Sequence, residues 1–100
     1  MSFILLVDDN TLLRKTTRDI IRSHFPDIEI AEAASGYEVA QVFETYRPDL
    51  VFMDIKLPDA NGLNLTRKLK SRYPDVMVAI FTNHDLPEYR QIGRASCRER

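Results

Sequence analysis

Phe3-Ile4-Leu5-Leu6-Val7-Asp8-Asp9 is the stretch on which the fold turns. The apolar run is too short for a helix and stops abruptly on two aspartates, the pattern of a strand buried on both faces of a sheet. The same construction returns after Pro48, where Asp49-Leu50-Val51-Phe52-Met53 is again a short apolar run ending on an aspartate, Asp54. After Pro74, Val76-Met77-Val78-Ala79-Ile80-Phe81 reads as another buried strand, ending at Thr82. Between the first two runs, Ile28-Glu29-Ile30-Ala31-Glu32-Ala33 alternates apolar and acidic residues, which predicts a strand at a sheet edge with one exposed face.

The intervals between these strands carry helix signals. Asn10 is placed to N-cap a helix from Thr11 to about Phe25, with Leu13, Ile20, Ile21 and Phe25 as its apolar positions and Pro26 as its stop. Ser35 and Glu38 have capping-box spacing, opening a helix expected to bury Val39, Val42 or Phe43, and Tyr46. Leu57-Pro58-Asp59-Ala60-Asn61-Gly62 is rich in turn formers, and Leu63, Leu65, Leu69 and Tyr73 suggest a third helix. A fourth is expected to begin around Pro87. Strand and helix alternate throughout, so the expected class is α/β with a parallel sheet covered on both faces.

A chain of 100 residues, 44% of them hydrophobic, fits one domain rather than two. Its net charge of −1 gives no global attraction to nucleic acid or an anionic membrane. With no signal-like start and no bilayer-length apolar stretch, the expected setting is soluble and cytoplasmic. The single cysteine, Cys97, has no internal disulfide partner, and no Cys or His pair has zinc-finger spacing, so any metal is expected to be held by oxygen. Residues 92–100, Ile-Gly-Arg-Ala-Ser-Cys-Arg-Glu-Arg, lack apolar periodicity and resemble the translation of a sequencing adapter. The expected organisation is therefore a domain over 1–91 and a non-native tail over 92–100.

In an open parallel sheet the functional crevice lies beyond the carboxyl ends of the strands. Asp8, Asp9, Asp54 and Thr82 all fall at that edge. Clustered carboxylates resist joint ionisation unless a cation sits among them, and hard Mg2+ favours such oxygen ligands. The blander readings stand beside this one: an aspartate after a strand is also a common cap or turn former, and Thr82 alone reads as a hydroxyl finishing a strand. Asp54 at the end of a second apolar strand is the coincidence that local capping does not explain. His24 and His84 have no partner at ligand spacing and receive no role.

Taken together, Ile4-Leu5-Leu6-Val7-Asp8-Asp9-Asn10, Met53-Asp54-Ile55-Lys56-Leu57-Pro58 with Asn61-Gly62-Leu63, and Ile80-Phe81-Thr82-Asn83 resemble the receiver domains of bacterial two-component response regulators. The resemblance runs in family order over essentially residues 1–91. It implies a flavodoxin-like sheet of order 2-1-3-4(-5), with the fifth strand and fifth helix missing from this sequence. It implies that Asp54 accepts a phosphoryl group, that Asp8, Asp9 and Asp54 hold Mg2+ together with the backbone carbonyl of Lys56, and that Thr82 is the switch hydroxyl. Pro58 and Gly62 match residues shaping the loop after the acceptor. The implied partners are a histidine kinase or phosphotransfer protein and a second receiver in a dimer of the full-length parent, with no direct nucleic-acid binding by this domain and no membrane. Such a domain is a phosphoacceptor that assists its own modification, not an enzyme in the usual sense.

Two departures accompany the resemblance. Asn83 stands where the family often has a small residue, and no lysine follows Lys70, although the family places a phosphoryl-pairing lysine after a fifth strand. Two other readings compete. A haloacid-dehalogenase-like Mg2+ phosphohydrolase also uses an aspartate after a strand, but expects a second aspartate two positions on, where this chain has Lys56. A receiver-like interaction module that is never phosphorylated is the other. The stretch His84 to Arg90 looks like receivers that precede a helix-turn-helix domain.

Overall fold

The computed structural model describes residues 2–81. Within them the elements run β1 (Phe3–Val7), α1 (Thr11–His24), β2 (Glu29–Ala33), α2 (Gly36–Thr45), β3 (Leu50–Asp54), α3 (Gly62–Arg72) and β4 (Met77–Phe81). The strands form one parallel sheet in the order β2-β1-β3-β4, as the resemblance implied. Thr82, Asn83, His84, the helix expected near Pro87, Cys97 and the 92–100 tail lie outside the described residues.

Alternation along the central strands divides the two faces of the sheet. Leu5, Val7, Val51 and Met53 point to one side and pack with Val39 and Phe43 of α2 and Leu69 of α3 into a single buried cluster. Ile4 and Leu6 point the other way. Glu32, the register partner of Leu6, bonds Arg14 and Arg18 of α1, which sets that helix over this second face.

The α1 stripe differs from the predicted one. Ile20 and Phe25 are 56% and 58% exposed, while the residues turned toward the sheet are Leu13, Arg14, Thr17, Arg18 and Ile21. The helix is rotated toward its arginines because Glu32 on β2 offers them a partner. For the same reason Glu32 is half-buried rather than part of an exposed acidic face. Tyr46 also leaves the core: it is the C-cap of α2, 55% exposed, with its ring edge-on to Phe3. β4 was expected to be buried, yet Met77 and Ile80 are exposed and, among the described residues, the strand is a sheet edge.

Three helix starts are capped by side chains. Asn10 Oδ1 accepts from Leu13 N–H at 3.0 Å. Ser35 Oγ accepts from Glu38 N–H, and Glu38 Oε1 accepts from Ala34 N–H at 2.7 Å, a variant of the predicted capping box with its return bond one residue before the cap. Asn61 Oδ1 accepts from Leu63 and Asn64. The first amides of α2 have a second acceptor, Asp59, whose carboxylate takes Gly36 N–H at 2.7 Å and Tyr37 N–H at 3.0 Å. These two bonds hold the Asp59 carboxyl below its usual range.

Leu5 is fully buried where β1, α2 and α3 meet. Leu5→Ala is expected to lower unfolding free energy by about 2–5 kcal/mol, read as a lower urea midpoint at unchanged m-value.

Candidate functional site at the carboxyl edge

The sheet delivers the acidic residues together because neighbouring parallel strands end in step. Val7 pairs in register with Met53, so the next residues, Asp8 and Asp54, leave the sheet side by side. Asp8 is 2% exposed and Asp54 1%, whereas Asp9 faces outward. One oxygen from each of the three carboxylates lies within 4.8 Å of the others.

Backbone groups hold the two buried side chains. Asn10 N–H donates to Asp8 Oδ1 at 2.9 Å and Lys56 N–H to Asp54 Oδ1 at 3.3 Å. Asp8 Oδ2 is buried with no hydrogen-bond partner. The loop after Asp54 is folded back on itself: Leu57 N–H bonds the Ala60 carbonyl and Gly62 N–H the Ile55 carbonyl, bracketing Lys56 against Asn61. Neither bond uses the Lys56 carbonyl. At Gly62 there is no room for a side chain, since an added Cβ would meet the Asp54 carbonyl and stand 2.8 Å from Ile55 Cα. The structure thus brings Asp8, Asp9, Asp54 and the Lys56 backbone together. Thr82 falls beyond the described residues, directly after Phe81, the register partner of Asp54.

The description "Response regulator receiver domain" belongs to the family model that matches residues 4–95. The chain is a member of that family. A receiver is a signalling domain rather than a conventional catalyst, so the phosphohydrolase reading is set aside. Among curated relatives, the transcriptional regulatory protein DegU of Brevibacillus brevis is 37% identical over 87 residues, covering 86% of this chain and 36% of that protein. A protein-glutamate methylesterase/protein-glutamine glutaminase of Pyrococcus horikoshii is 38% identical over 78 residues, covering 77% of this chain and 21% of that one. The receiver therefore spans well under half of these relatives. Among solved structures, the Thermotoga maritima response regulator TrrA in complex with Mg(2+)-BeF superposes with a TM-score of 0.77 at 27% identity, covering 91% of this chain and 76% of that one. TrrA bound to the histidine kinase ThkA gives 0.76 at 26% identity, covering 87% of this chain and 73% of that one. No helix among the described residues of this receiver is long and apolar enough to cross a membrane.

Sequence reasoning missed two side chains behind the receiver's acidic pocket. Arg14 Nη1 donates to the Asp8 carbonyl at 2.6 Å, and Glu32 accepts from Arg14 Nε at 2.8 Å. Burial works to raise the Glu32 pKa, but the bonds from Arg14 and Arg18 outweigh it and leave the carboxyl below its usual value. The signal was an arginine early in α1 and a second glutamate, Glu32, toward the carboxyl end of β2. The alternating pattern disguised Glu32 as surface, and Arg14 fell outside the apolar positions of its helix.

Burial, followed by the charges of Asp8 and Asp9, pushes Asp54 from its ordinary 3.8 up to about 6, against the opposing pull of the Lys56 N–H. A raised folded-state pKa means that the neutral form favours folding. That contribution is complete below 3.8 and is lost as pH rises through about 6. Glu32 and Asp59, whose carboxyls are held low, gain stability over the same rise, so the Asp54 contribution is read against a variant: Asp54→Asn, which cannot ionise, is expected to be roughly 1–3 kcal/mol more stable than wild type at pH 7 in EDTA, and to lose that advantage at pH 4. Urea unfolding at pH 4 and pH 7 measures both differences.

Proposed function

We propose that this receiver accepts a phosphoryl group on Asp54 from a histidine kinase or histidine phosphotransfer protein, with Mg2+ bound at the acidic edge. The observation that carries the reading is the cluster itself: three carboxylates within 4.8 Å, two of them buried, with Asp8 Oδ2 unsatisfied. Such a set is costly to ionise without a cation and is chemically suited to a hard one. Asp8, Asp9, Asp54 and the Lys56 carbonyl would hold the ion, whose charge would offset that on the phosphoryl oxygens.

An Asp54 carboxylate oxygen attacks phosphorus, a P–O bond forms, the P–N bond to the donor imidazole breaks, and the freed imidazole keeps the electron pair and takes a proton. The protein's part is positioning. The Lys56 N–H fixes one oxygen of Asp54, and Gly62, by carrying no side chain, keeps the loop clear of the Asp54 carbonyl. Thr82, one residue past the partner of Asp54, is assigned the hydroxyl that bonds the phosphoryl group, and Pro58 shapes the loop.

The proposal extends to a cytoplasmic setting, to receiver dimers in the full-length parent, and to output residing outside this domain. It includes a receiver over 1–91 with a non-native tail over 92–100 and a phosphoryl-pairing lysine supplied by the native continuation. Reading the gene past codon 91 tests the boundary. A native frame running through residues 92–100 would overturn it.

In the full-length protein, acetyl phosphate with Mg2+ is expected to phosphorylate Asp54, and Asp54→Asn to abolish the modification. Mass-spectrometric mapping to another side chain in the substituted protein would refute the assignment. Asp9→Ala is expected to weaken Mg2+ binding at least about tenfold, whereas Glu38→Ala, a cap residue remote from the cluster, leaves it within about twofold.

A further inference from the structure

Asp8 is tethered through every polar group but one. Its N–H donates to the Ala33 carbonyl at 3.0 Å, its carbonyl accepts from Arg14 Nη1 at 2.6 Å, and its Oδ1 accepts from Asn10 N–H at 2.9 Å. Only Oδ2 is left, buried and without a partner. The tether on the carbonyl side comes from a cation, which is an unexpected choice beside a cluster of carboxylates.

A guanidinium bonded to the peptide of one member of the Asp8, Asp9 and Asp54 cluster has an obvious competing use among these carboxylates. It could pair with their oxygens bidentately and cancel the charge on which a cation site depends. Among the described residues its bonds go elsewhere. Nη1 holds a neutral carbonyl, and Nε is bound by Glu32 Oε1 at 2.8 Å, with the side chain only 12% exposed. Glu32 is itself steadied by Arg18, which donates to Oε2 at 2.9 Å. Both carboxylate oxygens of Glu32 are thus engaged by α1, and Glu32 is anchored in β2 in register with Leu6, one residue short of the partner of Val7.

We propose that Arg14, forked between the Asp8 carbonyl and Glu32, is a positioning residue for the cation site, and that Glu32 restrains and neutralises it so that the acidic pocket keeps its charge for a divalent ion. Arg14 touches no reacting atom. It fixes the peptide from which the Asp8 carboxylate projects, and Glu32 keeps its charge from competing. This inference rests on the reading that the pocket takes Mg2+ and adds two residues, one of them on the strand beside β1, to what determines its affinity.

The test is calorimetric titration of Mg2+ alone into the full-length protein and its E32Q, R14M/E32Q and R14K variants, with thermal melting in EDTA alongside. Glutamine leaves an acceptor for Arg14 but no charge. E32Q is therefore expected to bind Mg2+ at least about fivefold more weakly, an unneutralised cation opposing the ion. Removing that cation in R14M/E32Q is expected to recover part of the loss, short of wild type because the tether on the Asp8 peptide goes with it, whereas a merely structural role for Glu32 would allow no recovery and a return to full wild-type affinity would show that Arg14 positions nothing. R14K provides a reading that leaves Glu32 intact: an ammonium lacks the planar fork needed to serve both partners, and Mg2+ affinity is expected to fall. Unchanged affinity in E32Q, or in R14K should E32Q fail to fold, overturns the proposal, and so does a double variant no tighter than E32Q. If wild type itself binds no Mg2+, the failure lies with the cation-site reading; if wild type binds and the variants match it, the failure is of this inference alone.

Discussion

Asp8 and Asp54 are two carboxylates buried next to each other at the ends of adjacent strands, and most of the local structure answers the problem this creates. Like charges so close, and so far removed from water, resist being ionised together. The chain meets the cost with backbone N–H donors at Asn10 and Lys56, and with an arginine bound to the peptide rather than to the carboxyl. None of these cancels the repulsion. Asp54 stays partly reluctant to ionise, and the strain is stored where function needs it, at one edge of a sheet whose hydrophobic interior carries the stability.

The fold was legible because its signals are local and repeated. An apolar run ending on aspartate, found at Val7 and again at Met53, specifies both a buried strand and the edge at which that strand leaves the sheet. Proline and the Ser35–Glu38 box mark the helix boundaries to within a residue or two. Strand order was not legible from periodicity, since a buried strand reads alike wherever it sits in the sheet. It came from resemblance to a family.

The errors share a cause. Apolar periodicity assigned Ile20 and Phe25 to the inner face of α1, but the helix turns by the width of a residue so that Arg14 and Arg18 meet Glu32. An ion pair between elements 14 to 18 residues apart leaves no trace in a helical or strand pattern. It converts an expected solvent-facing stripe into a packed one. The same blindness hid Asp59, which reads as a turn former and in fact caps the start of a helix more than 20 residues earlier in the chain.

The stretch from Asp54 to Gly62 is ruled at both ends and in the middle. It starts on a buried carboxylate, doubles back through the Lys56–Asn61 bridge, supplies Asp59 to α2 and Asn61 to α3, and closes with Gly62 against the Asp54 carbonyl. Each of these fixtures depends on counting. One residue added would carry Asp59 or Asn61 out of reach of the helix start it caps, and one removed would press a side chain into the space that glycine leaves open. Most surface loops accept changes of length readily. This one has, in effect, a gauge, and a change of length that the other connections could absorb would here cost a helix start or the glycine's clearance.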